Sequence, residues 1–372
     1  MKKIVLCIIS VLSITFIYAA SPIEPKDSLV ASEWFRYAAF GQSLYADEHP
    51  DFVRMDVAWT SNNPAFDYSQ EGKPYSMQTF GNFGARLPIW RGNFMNGRFG
   101  YSVTQPFNIN VWMDIMERTT APIVNTDFRI GVPIFTFIHR LGALDNSRNH
   151  FLKNYSISFS PLKHESTHIG DEVVLQRSDM NYALRRVNVS YNYVELDFTL
   201  NEPENRYLQT HTFRFGFMVM LSPQEGWYFV EERDGAINNI ASNHDYELNY
   251  KGYKRRFGPD GLPFEVFMQY QYQSPCSKHG FQAIVSAEIR NRALYDYSLT
   301  ETQEASEPRY STRDPHIFTY NIFVGARYNM RHYDGFFSRY SIGIRAYHGN
   351  CPYGMFRSVD NFSHIGVCFI YQ

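Results

Sequence analysis

The residues best equipped for chemistry lie in one stretch, Lys163-His164-Glu165-Ser166-Thr167-His168-Ile169-Gly170-Asp171-Glu172. His164 to His168 satisfies H-E-x-x-H, a zinc pattern that works only on a helix, where residues four apart share a face. Here Pro161 precedes it, Gly170 follows it, and the segment before it alternates with period two. On a strand the two histidines would stand ~13 Å apart, too far to share a zinc with bonds of about 2.1 Å. The expectation is a strand and no zinc. His164 and Ser166 form a second constellation. On a strand they point the same way, about 6.6 Å apart along the axis, and an imidazole so placed can serve a hydroxyl as general base. A third group must orient the ring. Asn188, which opens the polar face of the next strand-like segment, is the candidate. Asp171 and Glu172 beside Gly170 are candidate calcium ligands, or else a turn paired to Arg185 and Arg186. A polar structural cluster without chemistry is the first reading of the whole stretch, and hydrolysis the second.

The elements that must position these residues read as strands. Met55, Val57 and Trp59 alternate with Asp56, Ala58 and Thr60; Tyr155, Ile157 and Phe159 alternate with serines at 156, 158 and 160. Val187, Val189 and Tyr191 alternate with Asn188, Ser190 and Asn192, and Phe213, Phe215 and Phe217 with Arg214, Gly216 and Met218. About twelve such segments follow one another, each long enough for a tilted transmembrane strand of ~9–11 residues. The polar faces carry Ser, Asn, Gly and Arg, as a wet lumen would. Tyrosines at segment ends (Tyr191, Tyr193, Tyr270, Tyr272, Tyr328, Tyr333) look like interface girdles. The last segment presents Ile365, Val367, Phe369 and Tyr371 on one face. If the alternation of residues 156–160 continues, His164 and Ser166 point into the lumen. A bulge at Pro161 would turn them to the lipid side.

Composition agrees. Aromatics make up 17% of the 372 residues and charged residues 19%, with a formal net charge of -2. Disordered chains lack such aromatic content, and no basic excess or basic run marks a nucleic-acid partner. The only apolar run near the length of a spanning helix is N-terminal. Met1-Lys2-Lys3, the apolar Ile4–Ile17 and Tyr18-Ala19-Ala20 read as a signal peptide over residues 1–20. Residues 21–50 form a lead-in with a short amphipathic helix at Ser32–Phe40, and residues 51–372 form one barrel domain. Cys276, Cys351 and Cys368 remain after cleavage, so one disulfide at most can form and no metal spacing links them.

Two resemblances bear on this reading. The His-x-Ser pair with a downstream Asn resembles outer-membrane phospholipase A, a barrel enzyme, over these few residues; that resemblance implies a triad on the lipid side. Four ordered blocks resemble the bacterial family known as domain of unknown function 1207, grouped with outer-membrane barrels. They are Val124–Pro133 (D-x-R-x-G-x-P), His164–Glu172, Arg186–Tyr191 (R-x-N-x-S) and Tyr347–Phe356, where Cys351 departs from a more usual Ser. This second resemblance spans about residues 40–372, implies a barrel and brings no settled activity. The sequence therefore predicts an all-β transmembrane antiparallel barrel of about twelve strands. Its expected setting is the bacterial outer membrane, with membrane lipid and the barrel assembly machinery as partners. Its activity is left open: a narrow pore or structural barrel first, a lipid or acyl-ester hydrolase using His164, Ser166 and Asn188 second, a secreted soluble β-protein third. No cofactor is required, calcium at Asp171 and Glu172 being the one candidate.

Overall fold

A computed structural model describes residues 32–34, 40–61, 75–115, 123–141, 152–169, 185–204, 207–233, 236–240, 264–293, 316–330, 339–353 and 362–372. The strands are β1 (Ser32–Trp34), β2 (Val53–Ser61), β3 (Tyr75–Phe94), β4 (Phe99–Met113), β5 (Ile123–Gly131), β6 (Ile134–Arg140), β7 (Asn154–Ile169) and β8 (Arg185–Leu200). They continue with β9 (Thr210–Arg233), β10 (Ala236–Ile240), β11 (Phe264–Gln273), β12 (Phe281–Ala293), β13 (His316–Asn329), β14 (Arg339–Gly349) and β15 (Phe362–Tyr371). Each pairs antiparallel with its neighbours, and β15 returns to β2 from Ser363↔Ser61 to Tyr371↔Val53. The ring closes as twelve staves, with β5 and β6 end to end in one of them. β1 extends the wall beside β3, and β10 pairs β9 alone. Closure leaves no long unpaired edge, which is the condition for a sheet in lipid.

The wall is inside out by the standards of a soluble protein. Trp59, Phe137, Leu196, Phe217, Ile322 and Ile365 are exposed on its outer face, while Asn110, Gln269, Ser286, Arg290, Asn321 and Arg345 are buried within. An apolar surface running round every stave far exceeds the few-hundred-Å² patches of soluble monomers. It is stable only against hydrocarbon, at roughly 25 cal/mol for each Å² kept from water. The connections differ at the two mouths. The strand ends that bracket 95–98, 201–209 and 274–280 share one mouth, and those that bracket the longer intervals 62–74, 170–184 and 294–315 share the other.

The lumen is filled. Residues 40–52 enter from the short-turn mouth and bond to staves on every side. Tyr45 N–H donates to Gln271 on β11 (3.0 Å), and its hydroxyl meets Ser341 Oγ on β14 (2.9 Å). Ala46 N–H donates to Ser286 on β12, and Asn321 on β13 donates to the Ala46 carbonyl. Asn82 and Asn108, on β3 and β4, both donate to the Pro50 carbonyl. Ion pairs occupy much of the remaining space, among them Arg345–Asp56 (2.7 Å) and Arg290 with Glu265 and Glu288. What stays open includes a cavity of about 30 Å³ bordered by Asp51, Arg86, Lys163, Glu195, Asp197 and Arg214, room for a water or two.

Two expectations change. Ser32–Trp34 is not the start of a helix but a strand paired to Trp90–Gly92 of β3; backbone hydrogen bonds to a sheet edge outcompete a short isolated helix, which is marginal on its own. The rest of the expected helix and the signal peptide, residues 1–20, lie outside the described residues. Tyr193 is not a girdle residue. It is buried in the lumen at 3% exposure, in ordinary alternation with the buried Asp197 and Thr199 of the same strand.

Candidate functional site on the outer wall

The strand reading of the motif holds, since Asn154–Ile169 is one continuous strand. The facing of its upper half does not follow simple alternation. Ser156, Ser158 and Ser160 are buried in the lumen, while Ile157 and Phe159 are exposed. Beyond Pro161 the parity changes: Leu162 is exposed, and Lys163, Glu165 and Thr167 are buried. The register shows why. Ser160 pairs Glu195 and Lys163 pairs Tyr193, so Pro161 and Leu162 together oppose the single residue Val194. This is a β-bulge, one extra residue that reverses which face each later position takes. The neighbouring stave breaks at the same height, between Gly131 and Ile134. There the Val132 N–H donates to the Leu162 carbonyl (2.9 Å). Only glycine fits at 131, because a Cβ there would stand 2.8 Å from that carbonyl oxygen.

The consequence is that His164 and Ser166 project from the outer wall, not into the lumen. The lumenal course expected from unbroken alternation is corrected by the bulge at 161–162. Across the register, His164 lies between Ile130 of β5 and Asn192 of β8, while Ser166 lies between Phe128 and Ser190. The exposed side chains of Phe128, Ile130 and Leu162 make the surround apolar.

His164 Nδ1 is 2.9 Å from Asn192 Oδ1. An amide oxygen only accepts, so Nδ1 is the donor in this contact, the arrangement in which a neutral ring would present Nε2 as acceptor. The amide seen beside His164 is that of Asn192. Asn188 is four residues further along β8, with its backbone opposite Gly226 of β9; its side chain lies outside the described residues, as do Asp171 and Glu172. Asn192 is expected in the lumen by its polarity, yet two-residue alternation from the exposed Leu196 and Phe198 along β8 leads to it on the outer face.

The lumenal side of the same strand is clamped. Glu165, between the two outward residues, accepts two hydrogen bonds from Arg129 of β5, at 2.8 and 3.2 Å. Lys163 pairs Glu195 of β8 at 2.8 Å, and Thr167 donates to Asn125 of β5 at 3.0 Å. Glu165 is therefore a buried salt-bridge partner, on the opposite face from His164 and His168, and not a base beside a metal. Among the described residues no cluster of three His, Cys, Asp or Glu side chains could hold a metal ion. Cys276, Cys351 and Cys368 are free thiols.

Comparison with protein-family models finds no match, and comparison with curated proteins finds none either. The likeness to domain of unknown function 1207 accordingly stays one of motifs. Among solved structures the chain is similar to outer membrane phospholipase A from Escherichia coli, with 11% identity, 87% of this chain and 90% of that one covered, and a TM-score of 0.39. It is similar to the translocator domain of the autotransporter NalP from Neisseria meningitidis, with 8% identity, 86% of each chain covered and a TM-score of 0.38. LpxR from Salmonella typhimurium gives 8% identity, coverage of 86% and 99%, and a TM-score of 0.32. All three are outer-membrane barrels, and at these values the likeness assigns no residue and no reaction.

Proposed function

We propose that this protein is an outer-membrane acyl-ester hydrolase acting on membrane lipid, with Ser166 as nucleophile, His164 as general base and Asn192 as the group that orients the base. The observation that carries it is the His164–Asn192 hydrogen bond on the lipid-facing wall, with Ser166 on the same face two residues on. Polar side chains are costly on such a wall and belong to function by default. In this reading Nε2 of His164 takes the Ser166 proton as the oxygen attacks an ester carbonyl. The imidazolium so formed keeps its Nδ1–H on Asn192 and then protonates the departing alcohol. Water repeats the sequence on the acyl-enzyme and releases the fatty acid. Phe128, Ile130 and Leu162 give the acyl chain an apolar bed. The filled lumen speaks against passage through the barrel, and so against the narrow-pore reading. Bacterial barrels carry short turns on the periplasmic side and long loops outside. That convention sets His164 and Ser166, near the end of β7 that leads into 170–184, in the outer leaflet. Refolded protein in mixed micelles should release fatty acid from a phospholipid, with and without calcium to test Asp171 and Glu172. Ser166→Ala and His164→Ala should each lose most of that activity while keeping the gel-mobility shift of a folded barrel. An inactive wild type would return the cluster to a structural role.

A further inference from the structure

A second polar row lies at the other end of the outer wall, beside the short-turn mouth. Phe99 of β4, His139 of β6 and Tyr155 of β7 stand in register across three staves, and Arg98 precedes Phe99. The Arg98 Nε–H donates to His139 Nε2 at 3.1 Å. A guanidinium only donates, so Nε2 is the acceptor and the proton of the ring is on Nδ1. That nitrogen is 3.0 Å from the Tyr155 hydroxyl oxygen, to which it donates, and the Tyr155 O–H is left to point elsewhere. Phe99 stacks on the imidazole with centroids 4.4 Å apart, and Tyr155 meets it edge on at 5.1 Å. The ring is held through both nitrogens and by both neighbours. The two ends of the chain are unspent. Arg98 is exposed, and among the described residues no carboxylate pairs with it and nothing accepts from its two terminal nitrogens. The Tyr155 O–H likewise has no acceptor among the described residues.

Tyrosines at a membrane boundary are ordinary, but a guanidinium threaded into the row is not. The same wall holds a comparison: His211 Nδ1 is 3.0 Å from the Tyr270 hydroxyl, with no arginine bonded to that ring among the described residues. The surroundings of Arg98 indicate what the added charge meets. Toward mid-barrel the wall beside the row is apolar, with Phe137 opposite Ile157 and Phe135 opposite Phe159, all four exposed. On the mouth side Lys153, exposed two residues before Tyr155, adds a second cation. A cationic end continued by an apolar track along the staves has the polarity of a lipid with an anionic headgroup, and a guanidinium takes phosphate oxygens through two parallel N–H bonds. We infer that Arg98, His139 and Tyr155 form a binding site for one anionic phospholipid. The Arg98 terminal nitrogens hold its phosphate, the Tyr155 O–H donates to another oxygen of the headgroup, and a chain lies on Phe137 and Ile157. His139 is a positioning residue, fixing the guanidinium and the hydroxyl relative to each other. By the turn-length convention this is the periplasmic leaflet, at the opposite end of β7 from Ser166. The lipid there is a bound partner and not a substrate, so the site stands apart from the hydrolase reading.

The test is a lipid titration of refolded wild type in detergent micelles, read by native mass spectrometry. The probes are a diether phosphatidylglycerol, which has no ester to cleave, and the phosphate-free diether glycerol of the same chains. Wild type should retain one phosphatidylglycerol in preference to the neutral lipid. Arg98→Gln, which keeps a donor near His139 but loses the charge and the fork, should weaken that binding on the order of 10- to 100-fold, the value of a hydrogen bond to a charged group. Tyr155→Phe and His139→Phe, which keep the aromatic packing, should each weaken it about fivefold, the value of one neutral hydrogen bond. His211→Phe, in the pair without an arginine, should bind as wild type does. Each variant is first shown to keep the gel mobility of a folded barrel. Excess inorganic phosphate should not displace the lipid, since it lacks the chains. Equal retention of the two lipids by wild type, undiminished binding in Arg98→Gln, a loss in His211→Phe equal to that in His139→Phe, or displacement by inorganic phosphate would each overturn the assignment. Because neither probe can be hydrolysed, the outcome is the same whether or not Ser166 is a nucleophile.

Discussion

Replacing Asn192 by Ala isolates the one contact that distinguishes a catalytic arrangement from a scatter of polar residues. At rest the 2.9 Å bond between His164 Nδ1 and Asn192 Oδ1 is a hydrogen bond on a half-exposed surface, worth about 1 kcal/mol. The barrel should therefore lose little stability. In the proposed hydrolysis the ring becomes an imidazolium as Ser166 attacks, and its bond to the amide becomes a charge-assisted one of roughly 1.5–3 kcal/mol. The differential, about 0.5–2 kcal/mol, is roughly two- to thirtyfold in rate at 1.36 kcal/mol per decade, and misorientation of the freed ring adds to it. Asn192→Ala should thus lower kcat on a phospholipid by about 10- to 100-fold with KM little changed, while Asn192→Asp retains activity. Asn188→Ala should behave as wild type. The assay is fatty-acid release by refolded protein, normalised to the fraction with folded gel mobility. Equal effects of Asn192→Ala and Asn188→Ala, or an Asn192→Ala enzyme at full rate, would refute the reasoning.

Other outcomes follow from the same geometry. Single cysteines at 164 and 166 should react with a lipid-soluble maleimide in liposomes and one at 165 should not; the reverse pattern would restore unbroken alternation through Pro161. Purified protein should contain no stoichiometric zinc, and Glu165→Gln should leave turnover unchanged. Glu165→Ala should cost about 3–5 kcal/mol in urea unfolding, since it strands the buried Arg129 guanidinium. Planar bilayers holding wild type should show no steady conductance, whereas removing the Tyr45, Ala46 and Pro50 anchors with Gln271→Ala, Ser286→Ala and Asn108→Ala together should admit ions. Glu202, in the turn after β8, accepts from the Gly41 N–H, and burial raises its carboxyl pKa above the ordinary value. A raised folded pKa gives stability that is full below about pH 4.3 and is lost as pH rises through the folded value. Glu202→Gln should therefore raise the unfolding midpoint at pH 7 more than at pH 4.

Most of the wall was legible because a stave announces itself by period two. Met55, Val57 and Trp59 face out against Asp56, Ala58 and Thr60 with no correction needed, and so do Phe215 and Phe217 against Arg214. The site was legible in part. His164 and Ser166 stood out by type and spacing, but their direction depended on one extra residue at 161–162. A bulge is a property of two strands counted against each other, and one strand's sequence does not contain the count. Pro161 and the Gly131-Val132-Pro133 break marked the height at which both staves gain a residue, without saying which way the later residues would turn. Asn192 faces out and Tyr193 the lumen because β8 keeps one unbroken alternation with the exposed Leu196 and Phe198 and the buried Asp197 and Thr199, whereas sorting by side-chain type places each on the other face. The lead-in misled differently. The alternating mixture around Ser32–Trp34 suits a helix locally, and only the free stretch of β3 beside Trp90–Gly92 makes it a strand.

The most direct test of a lipid-facing nucleophile is covalent. A long-chain alkyl fluorophosphonate, added to refolded protein in detergent micelles and followed by peptide mass spectrometry, should phosphonylate Ser166. The adduct should be absent in His164→Ala and slow to form in Asn192→Ala. A wild-type protein that stays unmodified at Ser166, or labels there equally well without His164, would contradict the account.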